Sequence, residues 1–565
     1  MNKEKGVVLI TSLLIISTIL VAMGAYLSSM QTELKSAIID EASIQALALA
    51  EAGANHALEE LRERIRTDLL ARVEPVSQAS VFTNYVAAAD SLGFLRDYAW
   101  AAGDGQFTVG LNDATLTLGP INMDTGVSGN YSTTITVEPN GVPANPSGMV
   151  YVFPYSFSIV SSGTASEGSV ANVTKNVGLL QGNFDVTVRR DTFAKYALFT
   201  AHHRTTTGTT VWFTGDTSFS GPVSTNERLS FANNPSGHFT EDVGQHLTTA
   251  RFYNNGWSRL LDADSNPPRD VPVFEKNFTR GQDLLNLESS ISQAELKLQV
   301  LGGISEPTTN GIYVPNDGAN VVGGVYVRGN QGQSSDNAIV NMAVNAGNNP
   351  VYTISQGAGA ASVVTVDLVN NQTTVQDPSG SNTYTGQPDG INNEGILIYV
   401  NDYIGGLSGT VQRDTQITVS SERDIVISNH ILYQDYTTSP LSADGFENTL
   451  GILSWGGDVR IGTGAPNDLN IHGVIMAPHG VFTVDNYRYG SPRGSANLLG
   501  GVITDFYGAF GTFRSGVGQV SGYGRNFVYD ARMLSGTAPP YFPYMSNFTS
   551  AEDGLADRLI WNGGD

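Results

Sequence analysis

The sequence predicts a mainly β protein carried on one long N-terminal α-helix. The helix leads into an antiparallel β head, and a β-solenoid follows. Three observations predict this. An uncharged apolar run from Val7 to about Met30 passes into an amphipathic helical pattern that lasts to about residue 70. Residues 106 to 190 alternate apolar and polar side chains between Gly, Asn and Pro. Residues 390 to 510 repeat apolar-x-apolar triplets with Gly or Asn turns between many of them.

The helix comes first. Lys3 and Lys5 precede Gly6, and no further charge occurs until Glu33. Val7 to Leu27 alone meets the roughly 20 apolar residues that a bilayer-crossing helix needs. A helix satisfies every backbone polar group within the segment, as hydrocarbon requires. The two lysines favour a cytoplasmic N-terminus. Beyond the run, Leu58, Leu61, Ile65 and Leu69 recur at three- and four-residue spacing, and Glu59–Arg62, Glu60–Arg64 and Glu63–Arg66 can pair on the opposite face. From Val7 to about Leu70 such a helix is about 95 Å long at about 1.5 Å per residue. Gly24 and Gly53 each weaken it by up to about 1 kcal/mol. Pro75 marks its break, and short apolar stretches follow at Ala87 to Ala89 and Leu92 to Leu95.

Lys5-Gly6-Val7-Val8-Leu9-Ile10 resembles a prepilin-type leader and the start of type IV pilins and type II secretion pseudopilins, in which a short basic leader ends in Gly and the apolar run stays on the mature protein. Thr11 stands at the fifth mature position, where most major pilins carry Glu. The Ala-rich segment Gln45-Ala46-Leu47-Ala48-Leu49-Ala50-Glu51-Ala52-Gly53-Ala54 is similar to PilX-type N-termini, and minor subunits of that kind often lack the Glu. The resemblance covers residues 1 to 65. It implies cleavage between Gly6 and Val7, and a filament or membrane core that includes Thr11, Leu13, Leu14, Ile15, Ile16, Ile19 and Leu20. The partners it implies are a prepilin peptidase, other pilins or pseudopilins, and the inner membrane. A secretory signal peptide and a plain single-span anchor are the competing readings of the same run.

The head reads as strands at Phe107 to Val109, Ala114 to Leu118, Tyr131 to Val137, Tyr155 to Val160 and Val170 to Leu180. A long helix followed by such a meander is the layout of a pilin head. Tyr155 to Ala165 is similar to a strand-and-turn of minor pilins. Landmarks from Phe193 onward, including Gly221-Pro222-Val223, Gly323-Gly324-Val325, Tyr529-Asp530-Ala531-Arg532 and Pro539-Pro540-Tyr541-Phe542-Pro543, resemble an uncharacterised bacterial domain found behind PilX-like N-termini. That domain brings no assigned chemistry.

The triplets Ile417 to Val419, Ile425 to Ile427, Val459 to Ile461, Leu469 to Ile471, Val474 to Met476, Phe482 to Val484 and Val502 to Thr504 suggest short strands stacked as solenoid rungs. A sandwich with loops is the alternative. The pattern predicts one interior helix over 281 to 300 and loops over the Asn/Gly-rich stretches 331 to 350 and 370 to 390. The expected organisation is a leader at 1–6, the long helix at 7–70 with its membrane part at 7–30, and a β-rich head at 71–190. A connecting region at 191–300, the solenoid at 301–545 and a tail at 546–565 complete it.

The formal charge is −23, with 15% of residues charged and 63 glycines. A surface this acidic repels nucleic-acid phosphates, so no nucleic acid is expected as a partner. The absence of cysteine excludes disulfides and thiolate chemistry. Neighbours such as His202 and His203 point to opposite faces of a strand, so no metal is expected there. His472, His479, Asp485, Arg488, Arg493 and Asp505 lie in the solenoid segment. A polysaccharide-acting solenoid would line one face with such groups, but ordinary polar surface is the simpler account. Asp262-Ala263-Asp264-Ser265-Asn266 starts like a calcium loop, yet Pro267 stands where such a loop needs Gly. No nucleophile-elbow, phosphate-loop or dinucleotide motif occurs in fitting context. The expectation is therefore a filament subunit, not an enzyme, with no cofactor, and with a surface or polysaccharide as the one ligand class left open. A membrane-anchored solenoid that cleaves or binds polysaccharide is the alternative.

Overall fold

The structure, a computed structural model, describes residues 3–561 apart from 75, 77–79, 100–106, 124–128, 146–149, 166–171, 216, 233–236, 255–256, 262–271, 288–291, 330–336, 358, 435–446, 515–516, 536 and 556–559. The acidic run 262–266 lies outside the described residues. The chain divides into two compact units: Met1–Arg190 with Asn547–Asp565, and Asp191–Ser546.

In the first unit one helix runs from Lys3 to Glu63, continues through a π-helical turn at Arg64–Asp68, and ends with Leu69–Val73. Leu58, Leu61, Ile65 and Leu69 are buried as their spacing predicts. Two of the three predicted ion pairs form, Glu59–Arg62 at 3.3 Å and Glu60–Arg64 at 3.0 Å. Arg66 instead meets Glu552 at 2.9 Å. That carboxylate arrives from the far end of the chain, where no helical spacing could announce it. The apolar stretches after the helix become two short helices, Ser80–Ala88 and Ser91–Tyr98, the second capped by Asp90, whose side chain accepts from the Gly93 N–H at 2.8 Å.

An antiparallel sheet packs on these helices in the order Phe107–Val109, Ala114–Met123, Gly129–Pro139, Val150–Ala165, Val173–Thr192 and, from near the chain end, Tyr544–Asp553. Alternation decides which face goes inward: Tyr131, Thr133, Ile135 and Val137 are buried and their neighbours are not. Phe94 stacks on Phe153 with ring centroids 4.0 Å apart, and the Tyr155 hydroxyl donates to the Ser91 carbonyl at 2.8 Å. The segment expected to be a tail is thus part of the head sheet, and Ile560–Trp561 also pairs with Val173–Thr192.

The second unit is a parallel solenoid. In its first sheet nine strands stack in parallel: Phe278–Arg280, Val243–Gln245, Val223–Thr225, Leu198–His202, Val502–Phe506, Val474–Ala477, Thr449–Ser454, Gln416–Ser421 and Ile396–Val400. Val325–Arg328 adds to the last of these, also in parallel. A second sheet stacks Ala338–Val344, Ile404–Val411, Ile425–Tyr433, Asn470–His472, Pro492–Leu499 and Gly518–Val528 in parallel. From Val325 to Val528 the chain passes back and forth between these two sheets, whereas the rungs of 198–280 complete themselves with two three-stranded sheets, Ser218–Phe219, His238–Phe239 and Val273–Phe274 in one and Ser230–Ala232, Ala250–Asn254 and Trp257–Leu261 in the other. The register aligns Val325, Ile398, Val419, Ile452, Ile475, Val502, Leu198, Val223, Val243 and Phe278 as one apolar ladder. Each rung buries its neighbour's inward side chain, so a chain without disulfides gains a continuous core.

The rungs do not follow chain order. The chain enters at Leu198–His202 and steps outward to Phe278–Arg280. It then restarts at the other end near Val325 and winds back until Val502–Phe506 pairs with Leu198–His202. Residues 191–300, expected to be a connection, therefore supply four strands of the first sheet. Their strands are only three to five residues long, too short to stand out from turns by alternation. Among the described residues of 281–300 the interior helix begins at Gln293 and runs to Leu301, capped by Ser292, whose hydroxyl accepts from the Glu295 N–H at 3.1 Å. The stretches expected as loops hold hairpin strands at Ala338–Val344, Pro350–Gln356, Gln372–Asp377 and Gly380–Thr385. Their Asn and Gly are the turns themselves: Asn348 and Asn371 have φ of 60° and 50°.

Candidate functional site

The feature that sets this chain apart from an ordinary β protein is the first half of its helix. Leu13, Leu14, Ile15, Ile16, Ile19 and Leu20 are all exposed, and so are Val7 and Val8. The apolar window has a mean hydropathy of 2.6 and none of it is buried. Exposed leucine and isoleucine on every side of a helix is stable only in an apolar surrounding. The polar side chains in the run obey the same demand. Thr11 donates to the Val7 carbonyl at 2.7 Å, Ser12 to Val8 at 2.8 Å, Ser17 to Leu14 at 2.9 Å, and Thr18 also to Leu14. Each hydroxyl is satisfied by its own helix and asks nothing of a solvent. Gly6 and Val7 lie in this helix, two turns or less from its start.

From Ala42 the helix changes character. Ala42, Ala46, Ala50, Ala54 and Ala57 are fully buried, spaced four and three residues apart on one face. Opposite them the sheet also presents small residues. A side-chain carbon added to Gly163 would lie 2.6 Å from the Ala50 nitrogen and 2.9 Å from the Leu49 Cβ, and one on Gly53 would strike Ser161, Tyr131 and Thr133. Helix backbone and strand backbone touch here. The Ala-Glu-Ala-Gly segment that carries the sequence resemblance is thus the seam between helix and sheet. Thr133 and Ser161 share a hydrogen bond of 2.9 Å beneath it, and Tyr131 meets His56 Nδ1 at 3.0 Å.

Of the polar residues singled out in the solenoid, the structure brings His202 and Asp505 together. His202 and His203 do point to opposite faces. His202 is on the surface, 2.6 Å from Asp505 and stacked on Phe506. His203 is buried beside Thr200 at 3.3 Å, and burial pushes its pKa down to about 3. His472 is buried too, its Nδ1 accepting from the Tyr433 N–H at 3.0 Å, and burial lowers its pKa to about 4. Asp485 pairs with Arg460 at 3.0 Å, and Arg460 reaches Asp424 at the same distance. Beside them, burial raises the pKa of Asp458. His479 and Arg488 are exposed, and Arg493 lies over the Tyr523 ring. Asp485 belongs to the second sheet's side and Asp505 to the first, so they do not form a carboxylate pair. Among the described residues, no group of three His, Cys, Asp or Glu could hold a metal.

One buried charge pair was not legible in sequence. Asp530 and Arg532, both nearly inaccessible, meet at 2.6 Å, with the guanidinium over the Tyr433 ring. Their i, i+2 spacing in a short helical turn after the last rung gives no periodic signal.

A family model described as a domain of unknown function, DUF4900, matches residues 150–244. The match spans the last part of the head and the first solenoid strands, well under half of the chain. No curated protein matches the sequence. Among solved structures, the competence-associated pilin ComZ from Thermus thermophilus is similar at 14% identity and a TM-score of 0.33, over 92% of this chain and 98% of that one. At that score the similarity carries no functional argument, and the reading below rests on the chain's own features.

Proposed function

We propose that the chain is a minor pilin- or pseudopilin-like subunit of a type IV pilus or type II secretion-type filament, acting in assembly and surface contact and not as an enzyme. The observation that carries the reading is the division of one continuous helix. Its first part exposes apolar side chains all round, and its second part is seamed to a β head by Ala and Gly. Such a helix suits residence in the inner membrane, with its N-terminus cytoplasmic, and later transfer into a bundle of like helices in a periplasmic or surface filament. Prepilin peptidase and other pilins are the partners this requires.

Thr11 supports a low-copy place near the tip. An unpaired charge in hydrocarbon is very costly, so a carboxylate at this position repays its burial only by meeting a neighbour's amino terminus. The Thr11 hydroxyl is already bonded to its own helix and cannot neutralise an ammonium. A subunit with no neighbour above it needs no such carboxylate.

The test is expression with a functioning prepilin peptidase. Mature protein should begin at Val7, and Gly6→Leu should leave the leader uncut. A mature N-terminus at Met1 would return the chain to a plain membrane anchor. Immunogold labelling of sheared filaments should be sparse and at ends; dense labelling along their length would remove the tip assignment.

A further inference from the structure

One stretch of the solenoid, between Asp485 and Asp530, is basic in sequence, with Asp468 of an earlier rung beside Gly494 and Ser495. Acidic residues outnumber Lys and Arg by 53 to 30, yet from Asn486 to Val528 the charged residues are four arginines, Arg488, Arg493, Arg514 and Arg525, and a single carboxylate, Asp505. That carboxylate is taken by His202 at 2.6 Å. Among the described residues none of the four arginines makes an ion pair, whereas nearby Arg460 is held between two aspartates. Arg493 donates to the Gly462 and Ala465 carbonyls, Arg525 to the Gly508 carbonyl and Arg488 to the Tyr487 hydroxyl, so the anion-seeking feature is the remaining donors of the exposed Arg488 and Arg514.

Three of these guanidinium groups lie on aromatic rings. Arg488 is 5.3 Å from the Tyr487 centroid, Arg493 is 4.6 Å from Tyr523, and Arg525 is 4.7 Å from both Tyr507 and Phe510. Two further rings stand in water: Tyr489 is 77% exposed and Phe513 is 62% exposed. The turn that carries Arg488 and Tyr489 and the hairpin that carries Phe513 and Arg514 belong to one surface. The Ser521 hydroxyl donates to the Tyr487 carbonyl at 2.7 Å and shares a hydrogen bond of 2.7 Å with Thr512, while Gln519 donates to the Gly494 carbonyl at 3.1 Å.

We propose that this surface binds an acidic polysaccharide of the uronate type. A guanidinium fork matches a planar carboxylate, and the apolar faces of sugar rings can lie on Tyr489 and Phe513 as other flat apolar groups lie on aromatic rings. Two exposed arginines, one on the turn at Arg488 and one on the neighbouring hairpin at Arg514, suit a polymer with one carboxylate per sugar. Nucleic acid is disfavoured because the field of a chain with net charge −23 opposes most strongly a polymer with about one charge per 1.7 Å of duplex. The inference concerns the solenoid surface alone. It does not depend on filament assembly, and either reading can fail without the other.

The experiment uses the full chain in non-ionic detergent and a fluorescein-labelled oligogalacturonate followed by anisotropy. Binding should be present at low salt and weaken as salt rises. Arg488→Ala with Arg514→Ala should reduce affinity about tenfold or more, as loss of charge-assisted bonds does. Tyr489→Ala with Phe513→Ala should weaken binding while leaving its salt dependence unchanged. These side chains are exposed, and unchanged thermal unfolding of each variant checks that it folds. Equal binding of a neutral dextran oligomer, tighter binding of single-stranded DNA than of the uronate, or full affinity in the double arginine variant would each overturn the proposal.

Discussion

Gly163→Ala separates packing from propensity at the seam between helix and sheet. Gly163 sits inside the strand Val150–Ala165, paired on both sides. On strand preference alone, alanine there should stabilise by roughly 0.5–1 kcal/mol relative to glycine. The structure predicts the opposite sign. The new methyl would lie 2.6 Å from the Ala50 nitrogen and 2.9 Å from the Leu49 Cβ, and nearer still to the Ala46 carbonyl oxygen. Those are mainly backbone atoms of a long helix and cannot rotate away. Overpacking of this kind costs about 1–3 kcal/mol. Hydrogen exchange on peptides covering residues 42–57 reads the effect directly: protection should fall by roughly 5- to 150-fold, the factor that 1–3 kcal/mol corresponds to. For a unit of about 200 residues the unfolding midpoint should drop by roughly 2–12 °C. Gly24→Ala is the control, since nothing lies within 4 Å of its added carbon, and it should leave the head unaffected. Unchanged or increased protection in Gly163→Ala would refute the close helix–strand contact.

The remaining predictions concern the solenoid's buried polar groups. His203 and His472 stay neutral in the fold down to about pH 3 and 4, whereas unfolded histidine protonates near 6.5. Their folded values are depressed, so the unfolded state binds more protons, and lowering the pH from 7 to 5 should cost about 2 kcal/mol per histidine. Asp389, raised by burial to about 6, has the opposite sign and offsets about 1 kcal/mol of that loss. Calorimetry of His203→Phe should show a shallower fall in midpoint over this pH range, and a slope equal to the parent's would exclude His203 as its source. Arg532→Met leaves Asp530 buried without its guanidinium and should destabilise by about 3–5 kcal/mol; adding Asp530→Asn should recover much of this, and a double variant as unstable as the single one would show that the pair is not coupled.

What the sequence determined by itself was whatever repeats at short range. The uncharged run from Val7 to Met30 and the stripe of Leu58, Leu61, Ile65 and Leu69 specify a helix that is apolar all round and then on one face, because 3.6 residues per turn leaves no other way to place them. Alternation in Gly129–Pro139 specifies a strand with one buried face, and the triplets from Ile417 to Thr504 specify short strands; that these stack as parallel rungs and not as a sandwich is decided by their pairing. The opposite orientations of His202 and His203 follow from the same two-residue period. Only the tertiary structure decided which strands become neighbours. Nothing local tells Leu198–His202 that its partner is Val502–Phe506, or brings Asp505 to His202 across 303 residues. Nothing local returns Tyr544–Asp553 to the head sheet or sets Glu552 beside Arg66. The alanines of residues 42–57 read in sequence as helix formers. Their packing role appears only when Gly163 and Gly53 are brought against them, because close backbone approach belongs to two segments at once and leaves no period in either.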